Sequence, residues 1–107
     1  HAVRDTVGGG RRMKPLVLTE ALRKAAQRCV WFEPPETAVA DPAKLAAYIF
    51  TYGGADDASA LREQYGEEDI MIVLDAAPPG IFDARSWAYW NLVVGRYTPP
   101  SMPIRRL

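Results

Sequence analysis

Few side chains in this sequence have the types and spacing that catalysis requires. A nucleophilic hydroxyl or thiol needs a neighbouring base, most often a histidine. The candidate nucleophiles are Ser59, Ser86, Ser101 and the single cysteine, Cys29, whereas the only histidine is His1 at the amino end. No base accompanies any of the four nucleophiles in sequence. We therefore expect no nucleophilic catalysis and, more broadly, no enzymatic activity.

Acidic residues cluster at 56–57 and 67–69, where they could gather a hard cation. Neither cluster has the spacing of a calcium-binding loop, and one histidine with one cysteine cannot complete a transition-metal site. The glycines at 8–10 lack the lysine of a phosphate-binding loop. Acids at the start of a helix are explained by the helix macrodipole. The sequence therefore predicts no metal and no cofactor.

Hydrophobic periodicity and helix punctuation predict an all-α fold for residues 13–95. We expect a small orthogonal bundle of about five short helices, followed by an extended Pro/Arg-rich C-terminal tail over residues 96–107. Residues 36–39 should add one short turn. The predicted helix starts are Thr19, Asp41 with Pro42, Asp56 or Asp57, and Asp83, and the predicted stops are Pro34, Gly53, Gly66 and Gly95.

The apolar run at residues 70–74 is ambiguous between a buried strand and a helix. Three acids precede it, which favours a helix start. No second strand candidate exists to pair with it, and an unpaired strand would leave its backbone hydrogen bonds unsatisfied. We therefore predict a helix.

Aromatic side chains are concentrated near both ends of the predicted bundle. Trp31 and Phe32 end the first helical pattern and are expected to anchor the core. Trp87 and Trp90 share a stripe on the last helix and are also predicted to be core residues. Because that last helix is apolar over most of its circumference, we expect it to be central or covered on two sides.

Charge is unevenly distributed, although the formal net charge of the chain is zero. Residues 1–14 and 96–107 each carry a net +3, and residues 15–95 carry −6. Proline lowers the ordering cost of an extended tail, while Arg, Tyr and Met suit interface cores. The tail is therefore either presented to a partner or packed across its own helices. The predicted partner-binding residues are Tyr89, Arg96, Tyr97, Met102, Ile104, Arg105 and Arg106.

Residues 1–12 have no hydrophobic period and are expected to be a disordered leader or a segment added for expression, with Met13 as the candidate natural start. The lone Cys29 excludes an internal disulfide and indicates a reducing, cytoplasmic compartment. We expect it to be a small buried hydrophobe. No run of about 18 apolar residues is present, so no membrane span is predicted.

Two short helical pieces within residues 60–74 superficially suggest a helix-turn-helix. The second piece starts with three acids and contains no Arg, Lys, Asn or Gln, so it could neither approach phosphates nor contact base edges. The basic tails could still contact phosphate. A nucleic-acid-associated regulator therefore remains the alternative function.

Several short motifs lie along the chain from Met13 onward: Val30-Trp31-Phe32-Glu33-Pro34, Asp41-Pro42-Ala43-Lys44-Leu45, Thr51-Tyr52-Gly53, Ala60-Leu61-Arg62, residues 77–83, Arg85-Ser86-Trp87-Ala88-Tyr89-Trp90 and the tail. Through these motifs, most of the chain from Met13 onward resembles a group of small bacterial proteins encoded beside nucleotidyltransferase-like toxins of the AbiEii type. The resemblance implies an antitoxin or accessory protein that acts by direct contact, and it implies no catalytic residue.

The sequence thus predicts a non-enzymatic protein-interaction module with a protein partner, for which a nucleotidyltransferase-like toxin is the candidate. It does not fix the oligomeric state, and the aromatic last helix could instead form a contact between copies of the chain.

Overall fold

A computed structural model describes residues 13–104. The described part contains six helices and no strand, so the predicted all-α fold is confirmed. The predicted leader, residues 1–12, and the last three residues of the tail lie outside this range. The helices are α1 (Glu20–Cys29), α2 (Pro35–Ala38), α3 (Pro42–Tyr52), α4 (Ala55–Arg62), α5 (Glu67–Asp75) and α6 (Ala84–Val93).

Three of the predicted N-caps are confirmed. The side chains of Thr19, Asp41 and Asp83 each accept the backbone N–H three positions later, at 3.1, 3.3 and 2.8 Å. Helix α4 begins differently, because its N-cap is Gly54. Asp57 provides the cap from inside the helix by accepting the Gly54 N–H at 3.0 Å.

Residues 70–74 are helical, as predicted, within α5. Asp69 accepts the N–H of Gly66 at 3.1 Å and so stabilises the start of the helix. Ile70, Val73 and Leu74 are buried on the face that contacts α3 and α6. No helix within residues 13–104 has the length and apolar character needed to cross a membrane.

The core is built around α3, which contacts each of the other five helices. Its buried residues include Leu45, Ala46, Ala47 and Ile49. The two alanines lack long side chains, so neighbouring helices can approach the α3 backbone from more than one side. A central α3 explains how helices of only four to eleven residues share a single core.

Helix α6 is not central, contrary to the prediction. It contacts only α3 and α5 among the helices, and Tyr89 and Leu92 are 57% and 51% exposed. The predicted core role of Trp87 and Trp90 is confirmed, since both are buried. Trp90 stacks on Phe50 of α3, with ring centroids 3.9 Å apart. Within residues 13–104, no helix follows α6, and its outer face is left exposed.

A buried carboxylate, Asp57, joins α1 to the turn between α3 and α4. It is 5% exposed and accepts hydrogen bonds from Nε of Arg28 at 2.9 Å, from Nη2 of Arg28, and from the Gly54 N–H. Burial alone would raise the pKa of Asp57, but the Arg28 and Gly54 hydrogen bonds and the Arg28 charge outweigh it, so the pKa is lowered. The carboxylate therefore stays ionised inside the fold.

The turn beside Asp57 requires a glycine at position 53. A Cβ at Gly53 would lie 2.7 Å from the Ile49 carbonyl oxygen and 2.8 Å from Cβ of Asp57. Both neighbours belong to packed helices, so neither can move away cheaply. Gly53 thus allows the end of α3 to pack directly against Asp57.

The segment before α1 is fixed to the end of α4. The Gln64 side chain accepts the Val17 N–H at 2.7 Å and donates to the Val17 carbonyl at 2.8 Å. The buried Tyr65 hydroxyl donates to the Lys14 carbonyl. Burial, with the nearby Asp69 charge, raises the pKa of Tyr65 to about 12, so this hydroxyl keeps its proton.

The segment after α6 has neither helix nor strand over residues 96–104, and it packs on the body. It begins at Gly95, whose φ of +87° favours glycine. Arg96 pairs with Asp75 of α5 at 2.9 Å, Trp87 Nε1 donates to the Pro100 carbonyl at 2.8 Å, and Met102 packs against the core. Three contacts therefore hold this segment across α5 and α6.

Replacing Asp57 should destabilise the protein. Asp57→Ala removes the α4 cap and leaves Arg28 without its partner, so we expect the free energy of unfolding to fall by about 2 kcal/mol. Urea denaturation measures it. The matched control is Asp56→Ala, which changes the same charge on an exposed neighbour. A loss no larger in the Asp57 variant than in the control would contradict the role of the buried carboxylate.

Asp57 should also steepen the loss of stability in acid. Its native pKa lies below the ordinary value of 3.8, so its contribution is complete above that pH and disappears as the pH falls through the native pKa. Urea denaturation across a pH series should show a smaller acid loss in Asp57→Asn than in wild type, whereas Asp56→Asn should keep the wild-type slope. Parallel curves for wild type and Asp57→Asn would count against this linkage.

Trp87→Phe should loosen the C-terminal segment while keeping the core packed. The substitution retains most of the buried ring and removes the donor to Pro100, at a cost of about 1 kcal/mol. We expect the Met102 methyl NMR signal to move toward its random-coil position. Tyr89→Phe, an exposed change on the same helix, should leave the signal in place. An unmoved Met102 signal in Trp87→Phe would show that the bond does not hold the segment.

Candidate functional site

Four aromatic side chains form one continuous patch, the aromatic surface: Trp31, Phe32, Tyr48 and Tyr52. Successive ring centroids are 5.7, 5.5 and 5.8 Å apart, the first two pairs edge-to-face and the third stacked. Trp31 is 78% exposed, Tyr52 64% and Phe32 49%. Single exposed apolar residues are ordinary, but a contiguous aromatic patch marks an interaction site.

The first half of the aromatic surface lies in the turn after α1. Trp31 and Phe32 were predicted to anchor the core, and that prediction is wrong. Helix α1 ends at Cys29, and Val30 takes the core position with 0% exposure. The approach to Pro34 disfavours helical backbone, so the next two side chains leave the helical stripe and point outward. The proline that ends the helix here, Pro34, was already visible in the sequence.

The second half lies on α3, where Tyr48 and Tyr52 are one turn apart on the same face. Leu45 and Ile49 of α3 are buried, but Tyr48 is half-buried and Tyr52 is exposed. The core also includes Phe50, which stacks on α6. A four-residue spacing places the two tyrosines on one face of the helix but does not show how exposed that face is.

The polar atoms of the aromatic surface have no partner within residues 13–104. The indole N–H of Trp31 and the hydroxyls of Tyr48 and Tyr52 make no hydrogen bond there. By contrast, the indole N–H groups of Trp87 and Trp90 each donate to a backbone carbonyl. The patch thus combines apolar rings with unused hydrogen-bonding groups.

Two cations border the aromatic surface, and both are held in place. Arg28 lines a cavity of about 390 Å³ beside the four rings, with its side chain 54% exposed and its guanidinium paired to Asp57. Lys44 pairs with Glu33 at 3.2 Å and lies 5.8 Å from the Phe32 ring centroid. The border is therefore polar and ordered.

Cys29 lines the same cavity and is 5% exposed, as its predicted role as a small buried hydrophobe requires. Burial and the nearby Asp57 charge raise the pKa of the thiol to about 11. The thiol therefore stays protonated at neutral pH, and a protonated thiol is a poor nucleophile and metal ligand. Among the described residues, no group of three or more His, Cys, Asp or Glu side chains could hold a metal ion.

The partner-binding residues predicted from sequence that fall within residues 13–104 lie outside the aromatic surface. Tyr97 and Ile104 are 81% and 70% exposed on the C-terminal segment, whereas Arg96 and Met102 contact the body. Tyr89 is exposed on α6. Arg105 and Arg106 lie beyond the described residues, and the prediction for them stays a prediction.

Comparisons with protein-family models, with curated proteins and with solved structures each found no match. The resemblance to proteins encoded beside AbiEii-type toxins therefore stays a prediction.

Proposed function

We propose that this protein is a non-enzymatic protein-binding module whose aromatic surface holds an extended, proline-rich segment of a partner protein. The observation that carries the proposal is Trp31, which is 78% exposed, ends a row of four contacting rings, and has no acceptor for its indole N–H within residues 13–104.

The composition of the patch suits protein binding. Tryptophan, tyrosine and arginine dominate the residues that contribute most to interfaces, and here they surround one shallow cavity. Arg28 is already positioned by Asp57, so little side-chain freedom remains to be lost when a partner binds. Binding buries the apolar rings, and the polar groups at their border orient the bound partner.

The hydrogen-bonding groups favour an extended partner over a helical one. A helix satisfies its own carbonyls, whereas a polyproline segment makes no internal hydrogen bonds and presents bare carbonyls along its length. The Trp31 N–H and the hydroxyls of Tyr48 and Tyr52 can donate to such carbonyls. Proline rings pack between aromatic side chains in known recognition grooves of this kind.

The resemblance described from sequence makes a nucleotidyltransferase-like toxin the first partner to test, with this chain as an antitoxin or accessory protein. The lone cysteine supports a reducing, cytoplasmic location. The nucleic-acid alternative gains nothing from Arg96, since its charge is paired with Asp75.

Trp31→Ala in the full chain should weaken peptide binding by about 2 kcal/mol or more, roughly thirtyfold, because it removes the most exposed ring of the row and its N–H donor. Binding of a panel of synthetic proline-rich peptides can be followed by calorimetric titration, which needs no signal from Trp31 itself. Tyr97→Ala, an equally exposed aromatic on the C-terminal segment, is the matched control.

Wild-type binding that is lost in Trp31→Ala and kept in Tyr97→Ala would support the proposal. The reverse pattern would assign recognition to the tail. Absence of peptide binding, combined with a dimer that dissociates in Trp31→Ala, would identify the patch as a contact between copies of this chain and refute the proposal. The same variants can then be tested for binding to an AbiEii-type toxin.

A further inference from the structure

A second cavity, of about 620 Å³, opens where the end of α3, the body of α4 and the start of α6 meet. It is distinct from the cavity beside Trp31. Its volume lies within the range of small-molecule sites, roughly 300–1,000 Å³. The polar residues that line it are Thr51, Ser59, Arg62, Arg85, Ser86 and Tyr89.

The lining of the cavity carries positive charge. Arg62 comes from α4 and Arg85 from α6, and no acidic residue of the described range 13–104 lines the cavity with them. Within residues 13–104, these are also the two arginines without an ion pair. The other three arginines of that range are paired, Arg23 with Glu36, Arg28 with Asp57 and Arg96 with Asp75.

The acid nearest to Arg85 in sequence is Asp83, which is already engaged. Its carboxylate accepts the Ser86 N–H at 2.8 Å as the cap of α6. Hydrogen bonds from Ser86 are the main reason that the pKa of Asp83 is lowered, and the Arg85 charge adds the smallest contribution. The Arg85 guanidinium therefore keeps its donors for another acceptor.

One wall of the cavity holds a hydroxyl that lacks a partner. Oγ1 of Thr51 is excluded from solvent and makes no hydrogen bond in the described part of the chain. Buried polar atoms almost always have a hydrogen-bond partner, so an unpaired hydroxyl beside a cavity requires an explanation. Ser59 adds a further hydroxyl to the lining, whereas the Ser86 hydroxyl is hydrogen-bonded to Asp83.

The other wall is aromatic. Trp90 stacks on Phe50, and Tyr89 meets Trp90 edge-to-face with ring centroids 5.2 Å apart. Tyr89 is 57% exposed, so one of its faces is open for stacking. The cavity thus places flat apolar surface beside two guanidinium groups.

We propose that this cavity, the arginine cavity, binds a small phosphorylated ligand that also carries an aromatic ring. Two guanidinium groups match the charge of a phosphate monoester, about −1.5 to −2 at neutral pH, better than that of a single carboxylate. Their planar donors bind phosphate oxygens in pairs, and the Ser59 hydroxyl supplies a further donor. Tyr89 stacks on the ring. This inference does not depend on the aromatic surface.

Calorimetric titration of the full chain with phenyl phosphate, AMP, inorganic phosphate and phenol tests each part of the proposal. Phenyl phosphate or AMP should bind, inorganic phosphate should bind more weakly, and phenol least. Arg62→Ala and Arg85→Ala should each weaken binding by roughly tenfold to a hundredfold. Because both side chains are exposed and unpaired within the described part, neither substitution should unfold the protein.

Lys24→Ala is the matched control, because Lys24 is another exposed cation without an ion pair among the described residues. Its affinity for the phosphorylated probe should equal that of wild type. Equal losses in Lys24→Ala and Arg62→Ala would show general charge attraction and overturn the site. Absence of binding by both phenyl phosphate and AMP, or equal binding of phenyl phosphate and inorganic phosphate, would also overturn the proposal.

Discussion

The Asp57 carboxylate is the interaction on which the arrangement of helices most depends. It is a charge almost removed from water, so it must be satisfied by the protein. Arg28 of α1 and the Gly54 N–H at the start of α4 satisfy it together. Because these donors come from different elements, one side chain joins α1 to the turn between α3 and α4. Gly53 is required for the same reason, since it lets α3 end against this carboxylate.

The same carboxylate connects the two surfaces that have functional chemistry. On one side, its partner Arg28 lines the cavity beside the aromatic surface. On the other, the Gly53–Gly54 turn that it caps forms part of the wall of the arginine cavity. The two cavities therefore share a rigid junction while differing in their own character. One has paired cations and open rings, and the other has unpaired arginines beside a stacked aromatic wall.

Features governed by neighbouring residues could be predicted from sequence. The caps at Thr19 and Asp83 and the stop at Gly95 follow from local backbone chemistry, and they fixed the helical fold class. The exposure of each side chain was harder to predict from sequence, because it depends on which helices lie nearby. Periodicity marks an apolar face but does not show whether anything covers it, and this explains the errors at Trp31 and on the outer side of α6. The Arg28–Asp57 pair spans 29 residues, beyond the reach of any local pattern.

The contact between the segment before α1 and the end of α4 has a consequence for synthesis on the ribosome. Tyr65 and Lys14 are 51 residues apart, so their bond cannot form until α4 has been translated. The ion pair between Arg28 and Asp57 likewise cannot form until Asp57 has been translated. The four rings of the aromatic surface all lie between residues 31 and 52, so their mutual contacts are available to the nascent chain earlier. Vectorial synthesis thus presents the aromatic surface before the junction that supports it can close.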